Sequence, residues 1–364
     1  PATITLVSRG RIRFVQVDPD ARLVESARLT PGESPLHDNR RPMGLRPPLL
    51  SEFVIWGDTV TKKPFVHWSV DLRRRHDISH TVVLQGAVTP RRAGGSIGYL
   101  RHLGRALTGN DRSWYLGPYL SVNRHMASAA ETAIPERNRF AATMASLSVL
   151  AGMNNRAVML DPGDGGAFSV GLGYAAGVGE DGRSARYGAL SVRGGRTAAP
   201  APGHRLALYG GAEGRIGTPP ASSLATLSAR TALRGFDLDE TYGQAAIYGV
   251  AEWRHTIAGS TGVAFPLGTA LDRLQGVLFA GAGTTSPPGG FGGLFHEDNL
   301  YAEAGYGLRI FLLALGVAPY LLAVDFAAPI YPLSRYREVR RSDGVMVRER
   351  RAPFRLVLGI TQTF

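Results

Sequence analysis

Apolar residues in this chain recur at every second position, in run after run of about ten residues, and that period selects extended strands over helices. The last eleven residues show it best. Phe354, Leu356, Leu358, Ile360, Gln362 and Phe364 fall on one face, and Arg355, Val357, Gly359, Thr361 and Thr363 on the other. The same division separates Trp114, Leu116, Leu120 and Val122 from Tyr115, Gly117, Tyr119, Ser121 and Asn123. It separates Phe168, Val170, Leu172 and Tyr174 from Ser169, Gly171, Gly173 and Ala175. Further strands are expected at 139–152, 184–194, 204–214, 242–255, 275–283, 299–311 and 315–327, and at 80–87 and 96–102. Upstream, 2–16, 50–56 and 64–73 read as strands, and the Pro- and Arg-rich stretch 31–48 between them reads equally as a linker. Residues 1–75 are therefore N-terminal strands or linker, and 76–364 one β domain.

A soluble all-β chain needs its apolar faces to meet in a core. Here the face opposite the apolar one is Gly, Ser, Thr, Arg, Glu and Tyr. A polar interior with an apolar exterior describes a closed antiparallel transmembrane β-barrel, because an open edge in hydrocarbon leaves backbone groups unpaired at several kcal/mol each. The expected count is roughly sixteen strands, or about twelve to fourteen without the N-terminal segment, within the range of such barrels. Trp114, Tyr174, Trp253, Tyr301 and Tyr320 suit interfacial girdles. The apolar run Ile310–Val324 is too short for a membrane helix and is interrupted by Gly316 and Pro319.

Composition removes several function classes. The 364 residues include no cysteine, so disulfides, thiol nucleophiles and cysteine metal sites are absent. The net charge of +12 comes almost wholly from arginine, Lys62 and Lys63 being the only lysines. The arginines are scattered and do not alternate with aromatics, so nucleic acid is not an expected partner. Gly94–Gly98 spells G-x-S-x-G around Ser96, with an Asp-Gly at Asp164. A nucleophile elbow needs a strand before the serine and a helix after it, whereas Ser96 opens a strand, so the motif reads as a hairpin loop. His296, Glu297 and Asp298 cluster in a Gly- and Pro-rich loop and read as solvated, since adjacent loop residues seldom converge on one ion. His125, His204 and His255 read as strand-end or loop residues. No catalytic, cofactor or metal site is expected. The chain starts at Pro1 with neither a basic n-region nor an apolar h-region, so a signal peptide is expected upstream of it or already removed.

Working back from the terminal Phe364, Leu233, Arg234, Gly235 and Phe236 resemble the VRGF/IRGY motif of the BamA and TamA type of outer-membrane assembly barrels and of two-partner secretion transporters, the bacterial surface antigen superfamily. Ala251–Arg254, Ala304–Arg309 and Ala323–Ile330 are similar to that family's strands after the motif, and Asn154–Gly166 to one of its turns. The resemblance implies a loop, 214–241, folded into the barrel lumen, and a C-terminal assembly signal at Phe364. It implies a bacterial outer-membrane protein that assists insertion, secretion or translocation of other polypeptides without covalent catalysis. Its partners would be outer-membrane lipids, a client or passenger polypeptide and the barrel assembly machinery. Two other readings stay open: a membrane anchor or export barrel for an upstream enzymatic domain of the same polypeptide, and a diffusion porin.

A loop arginine inside a barrel needs an acidic or carbonyl partner or must stay hydrated. Parity along the strands puts Gln244, Glu252 and Arg254 on the inner face, with Glu303 and Arg309 on a later strand and Asp325 on the next. Glu252 is the first expected partner of Arg234, with Asp325 or Glu303 in reserve. Two features depart from the family: Phe279–Gly283 lacks its usual aspartate at 281, and residues 1–75 are too short for more than a fragment of one POTRA-type domain.

Overall fold

The computed structural model describes residues 49–58, 63–74, 77–89, 92–103, 113–126, 136–155, 164–227, 233–236, 241–259, 263–265, 269–286, 290–314, 318–331, 336–340, 346–350 and 353–360. The expected strand at 2–16, the stretch 31–48 and Phe364 lie outside the described residues. The strands are β1 (Leu49–Asp58), β2 (Lys63–Arg74), β3 (Asp77–Thr89), β4 (Arg92–Leu103), β5 (Ser113–His125), β6 (Ala142–Asn154), β7 (Gly165–Gly179), β8 (Ser184–Ala201) and β9 (His204–Gly217). They continue as β10 (Ala225–Thr226), β11 (Tyr242–Gly243), β12 (Ala245–Ala258), β13 (Val263–Phe265), β14 (Thr269–Thr285), β15 (Leu300–Ala314), β16 (Ala318–Tyr331), β17 (Tyr336–Arg340), β18 (Met346–Arg350) and β19 (Arg355–Ile360). The only helical pieces among the described residues are single 3-10 turns at Glu136–Asn138, Ala221–Ser223 and Glu297–Asn299.

Among the described residues fifteen strands form one antiparallel sheet, in the order β12-β9-β8-β7-β6-β5-β4-β3-β2-β1-β19-β16-β15-β14-β13, and β12 also pairs with β14. This count includes the three-residue β13, which the alternation did not mark, and leaves out the expected strand at 2–16, so it does not test the expected sixteen. β1 and β2 pair into this sheet, so 49–74 continues the same architecture as the later strands. Pairing is long and uninterrupted in the middle, running from Ala142↔Gly179 to Asn154↔Ala167 between β6 and β7. Between β1 and β19 only Trp56↔Gly359, Gly57↔Leu358 and Asp58↔Val357 are in register, as few as between β13 and β14. β17 and β18 pair with each other outside this sheet, in an arginine-rich segment for which the alternation gave no strand.

Alternation places large apolar side chains on one face of the sheet. Leu120, Leu147, Leu172 and Leu208 are all more than half exposed there. Behind them the other face carries small and polar groups. Ser96, Ser121 and Ser146 stand in one cross-strand row, the last two joined by a 2.6 Å hydroxyl contact. Ser96 lies within β4 and donates to Gln85 Oε1 at 3.4 Å. The expected hairpin at Gly94–Gly95 is thus a strand: both glycines pair with β3 and β5 instead of turning. A real two-residue turn, Pro202–Gly203, joins β8 to β9, with Gly203 at φ +75°, where a side chain would be strained.

Candidate functional site

Of the segment between β9 and β12, residues 218–227 and 233–236 lie against the polar face of the sheet. Its first part is pinned to the wall. Asn138 Nδ2 donates to Pro219 O at 2.6 Å, His125 Nδ1 contacts Ser222 Oγ at 2.7 Å, and Arg215 Nε donates to Ser223 O at 3.0 Å. The short pair β10–β11 and a 3.0 Å bond from Leu233 N to Leu227 O then aim Leu233–Phe236 inward. Leu227, Leu233 and Phe236 are fully buried among Ala225, Ala246, Tyr248 and Val250, and Phe236 meets Tyr301 edge-on at 5.3 Å. Tyr301 is therefore an interior residue and not part of an interfacial girdle; its neighbours on that face are the loop's own apolar side chains.

Between these apolar residues Arg234 reaches four strands at once. Its Nη2 is hydrogen-bonded to Glu252 Oε1 on β12 and, at 2.8 Å, to Tyr209 OH on β9. Its Nε lies 3.4 Å from Asp325 Oδ2 on β16, and its guanidinium sits 4.4 Å above the Phe279 ring on β14. Burial opposes the charge, but Tyr209, Glu252 and Asp325 outweigh it and hold the Arg234 pKa well above the usual arginine value. Each acid is shared with a second cation. Glu252 Oε2 accepts from Arg254 at 2.7 Å, and Asp325 accepts twice from Arg309, at 2.5 and 3.2 Å. Charges are thus alternated and hydrogen-bonded, the condition under which burying them is tolerable.

Glu303 does something else: its Oε2 accepts the backbone N–H of Gly235. A Cβ at Gly235 would stand 3.1 Å from that oxygen and 3.2 Å from Pro329 N, so any side chain there would crowd the approach. The structure thus brings Arg234, Gly235, Phe236, Glu252, Glu303 and Asp325 together. Tyr209 is the partner sequence reasoning missed, although alternation in 204–214 puts it on the face of Arg205, Gly211 and Glu213. The departure at Gly281 has a packing cause, since a Cβ there would lie 2.8 Å from Leu233 Cδ2 and 3.1 Å from Val250 Cγ2.

The remaining candidates stay apart from this site. Asp164 accepts the Ala199 N–H at 2.8 Å. His296 and Asp298 approach to 3.3 Å on the exposed surface, beside Glu297. His204 stacks on Trp253 with ring centroids 5.6 Å apart, and Trp253 also neighbours His255.

No family model matches the chain, and no curated protein matches it in sequence. Among solved structures its fold is similar to that of BamA from Haemophilus ducreyi lacking POTRA domains 1-3, at 10% identity and a TM-score of 0.45 over 85% of this chain and 69% of that one. It is similar to CdiB from Acinetobacter baumannii, at 9% identity and a TM-score of 0.42 over 85% and 58% of the two chains. It is also similar to CdiB from Escherichia coli, at 10% identity and a TM-score of 0.46 over 82% and 49%. The chain thus spans about half the length of the two CdiB proteins whose fold it is similar to.

Proposed function

We propose that this chain is a closed transmembrane β-barrel of a bacterial outer membrane, with the loop 214–241 seated in its lumen, which assists the insertion, secretion or translocation of other polypeptides without covalent catalysis. The pairings β12–β14 and β1–β19 support closure, because with them fourteen of the fifteen strands have a neighbour on both sides and three-residue β13 alone hangs from β14. The outward apolar face supports a hydrocarbon surrounding. The observation that carries the functional reading is the fastening of Arg234 to Glu252 and Asp325, which holds the motif loop across the interior.

Reconstitution in liposomes with a labelled client polypeptide tests this. Arg234→Ala should insert into the bilayer yet lose most client insertion or transport; unimpaired activity would remove the link between loop and function. A large, steady conductance in planar bilayers with no effect on any client would favour the porin reading instead.

The membrane register has its own test. Leu358 points outward and Val357 inward, where it faces Asp325 across the β16–β19 pair. Leu358→Arg should cost about 2 to 4 kcal/mol if it lies near the midplane. Val357→Arg, with a carboxylate in reach, should cost less, and equal losses would refute the assignment of faces.

Orientation follows from strand alternation. With the terminal strand ending at the periplasmic side, the segments 215–241, 284–298 and 328–353 are extracellular, and 256–274 and 312–315 periplasmic. Cysteines at Asp298 and Ala201, both exposed and at opposite ends of the sheet, should label from outside and inside respectively. Reversed labelling would overturn this orientation.

A further inference from the structure

We infer that the outer wall of the barrel carries a cationic and aromatic collar, at the end opposite the Arg234 loop's entry, that binds the phosphate headgroups of anionic glycerophospholipids. This rests on the membrane-barrel reading above. His80 and Arg101 are directly opposed across β3 and β4, and both are exposed on the apolar face. Tyr99, two residues from Arg101 on the same face, hydrogen-bonds to His80 and stacks beside it at 5.8 Å. Arg196 projects from the same face of β8, paired in register with Leu208, which is 52% exposed. His204, the first residue of β9, lies parallel to the Trp253 ring, the two planes 4° apart.

The positions place these groups near one end of the sheet. Arg101 is two residues from the end of β4, His80 three from the start of β3, and Arg196 five from the end of β8. Antiparallel alternation puts those three termini at the same end of the sheet. At the other end, Arg124 pairs with Glu180 and Arg183 with Asp181, each at 3.0 Å. Neither Arg101 nor Arg196 is in an ion pair among the described residues, and of the acids described at this end Asp164 is bonded to the Ala199 backbone.

An arginine on an apolar wall lays its stem along hydrocarbon and raises its guanidinium to the headgroup level. There it meets phosphate with a two-pronged donor set. Indole and phenol rings favour that same layer. The collar thus presents charge that the protein leaves uncompensated at the depth where an anionic lipid supplies it.

The test uses vesicles of phosphatidylcholine containing a minor fraction of either bromine-bearing phosphatidylglycerol or bromine-bearing phosphatidylcholine, with quenching of tryptophan fluorescence as the readout of which lipid borders the wall. Enrichment of phosphatidylglycerol should be roughly fivefold for each arginine engaged, and should fall as salt is raised. Arg101→Gln with Arg196→Gln should abolish the preference, while the paired lysine replacements should keep much of it and Arg124→Gln should leave it unchanged. Equal quenching by the two lipids in the unaltered protein would overturn the collar, as would an unchanged preference in the double glutamine variant. Absence of quenching by either lipid would overturn the membrane reading itself.

Discussion

Replacing Arg234 with alanine should lower unfolding stability toward the lower end of the roughly 3 to 5 kcal/mol lost when one partner of a buried ion pair is removed. The loss is moderated because Glu252 keeps Arg254 and Asp325 keeps Arg309. Glu252→Gln should cost more, since it strips charge compensation from Arg234 and Arg254 together, with Arg309 only 4.0 Å away. The double replacement should cost less than the sum of the singles, with a coupling on the order of 1 to 3 kcal/mol. Arg234→Lys should not rescue, because one ammonium cannot serve Glu252, Tyr209 and Asp325 while stacking on Phe279. Urea titration in detergent micelles, followed by the heat-sensitive shift in gel migration, measures all four. Additive singles would mean that the loop is held by its apolar residues alone.

Restoring the absent acid should do harm. Gly281→Asp would push a Cβ into Leu233 and Val250, an overpacking cost of about 1 to 3 kcal/mol, and would set another carboxylate beside Glu303, whose Cγ lies 3.5 Å from the added Cβ. Leu233→Ala alone opens a cavity and should cost about 2 to 5 kcal/mol. Combined, the two should destabilise by clearly less than their sum, because the shortened side chain vacates the volume that the aspartate needs. If Gly281→Asp proves neutral, Leu233 is not the reason that position is glycine.

How much of this was legible in the sequence depends on what alternation encodes. A period of two assigns each residue to a face, which is why Leu358 and Val357, or Glu252 and Trp253, could be separated without coordinates. It does not assign a height along the barrel, because register between strands is set by pairing and shifted by irregularities such as those at Leu271/Arg273 and Ala302/Glu303. For that reason Glu252, Asp325 and Glu303 stood as alternatives for one arginine, whereas in the structure two of them share it and the third holds the neighbouring backbone N–H. Tyr209 was hidden for the same cause: its face was readable, its level was not. The hairpin β17–β18 was hidden by composition, since ten of the seventeen residues in 335–351 are charged and mask an apolar period. The N-terminal stretch 2–16 and Phe364 lie outside the described residues.

The fastening of the loop also bears on the order in which the chain can be completed. The groups that hold Arg234 and Gly235 come from β9, β12, β14, β15 and β16, so the loop is fully fastened only once strands up to the one that carries Asp325 have packed together. The loop can be drawn into place by Tyr209 and Glu252 early, but its Arg234 Nε contact waits for the strand that carries Asp325. A chain truncated after β15 would therefore lack the carboxylate that the Arg234 Nε contacts.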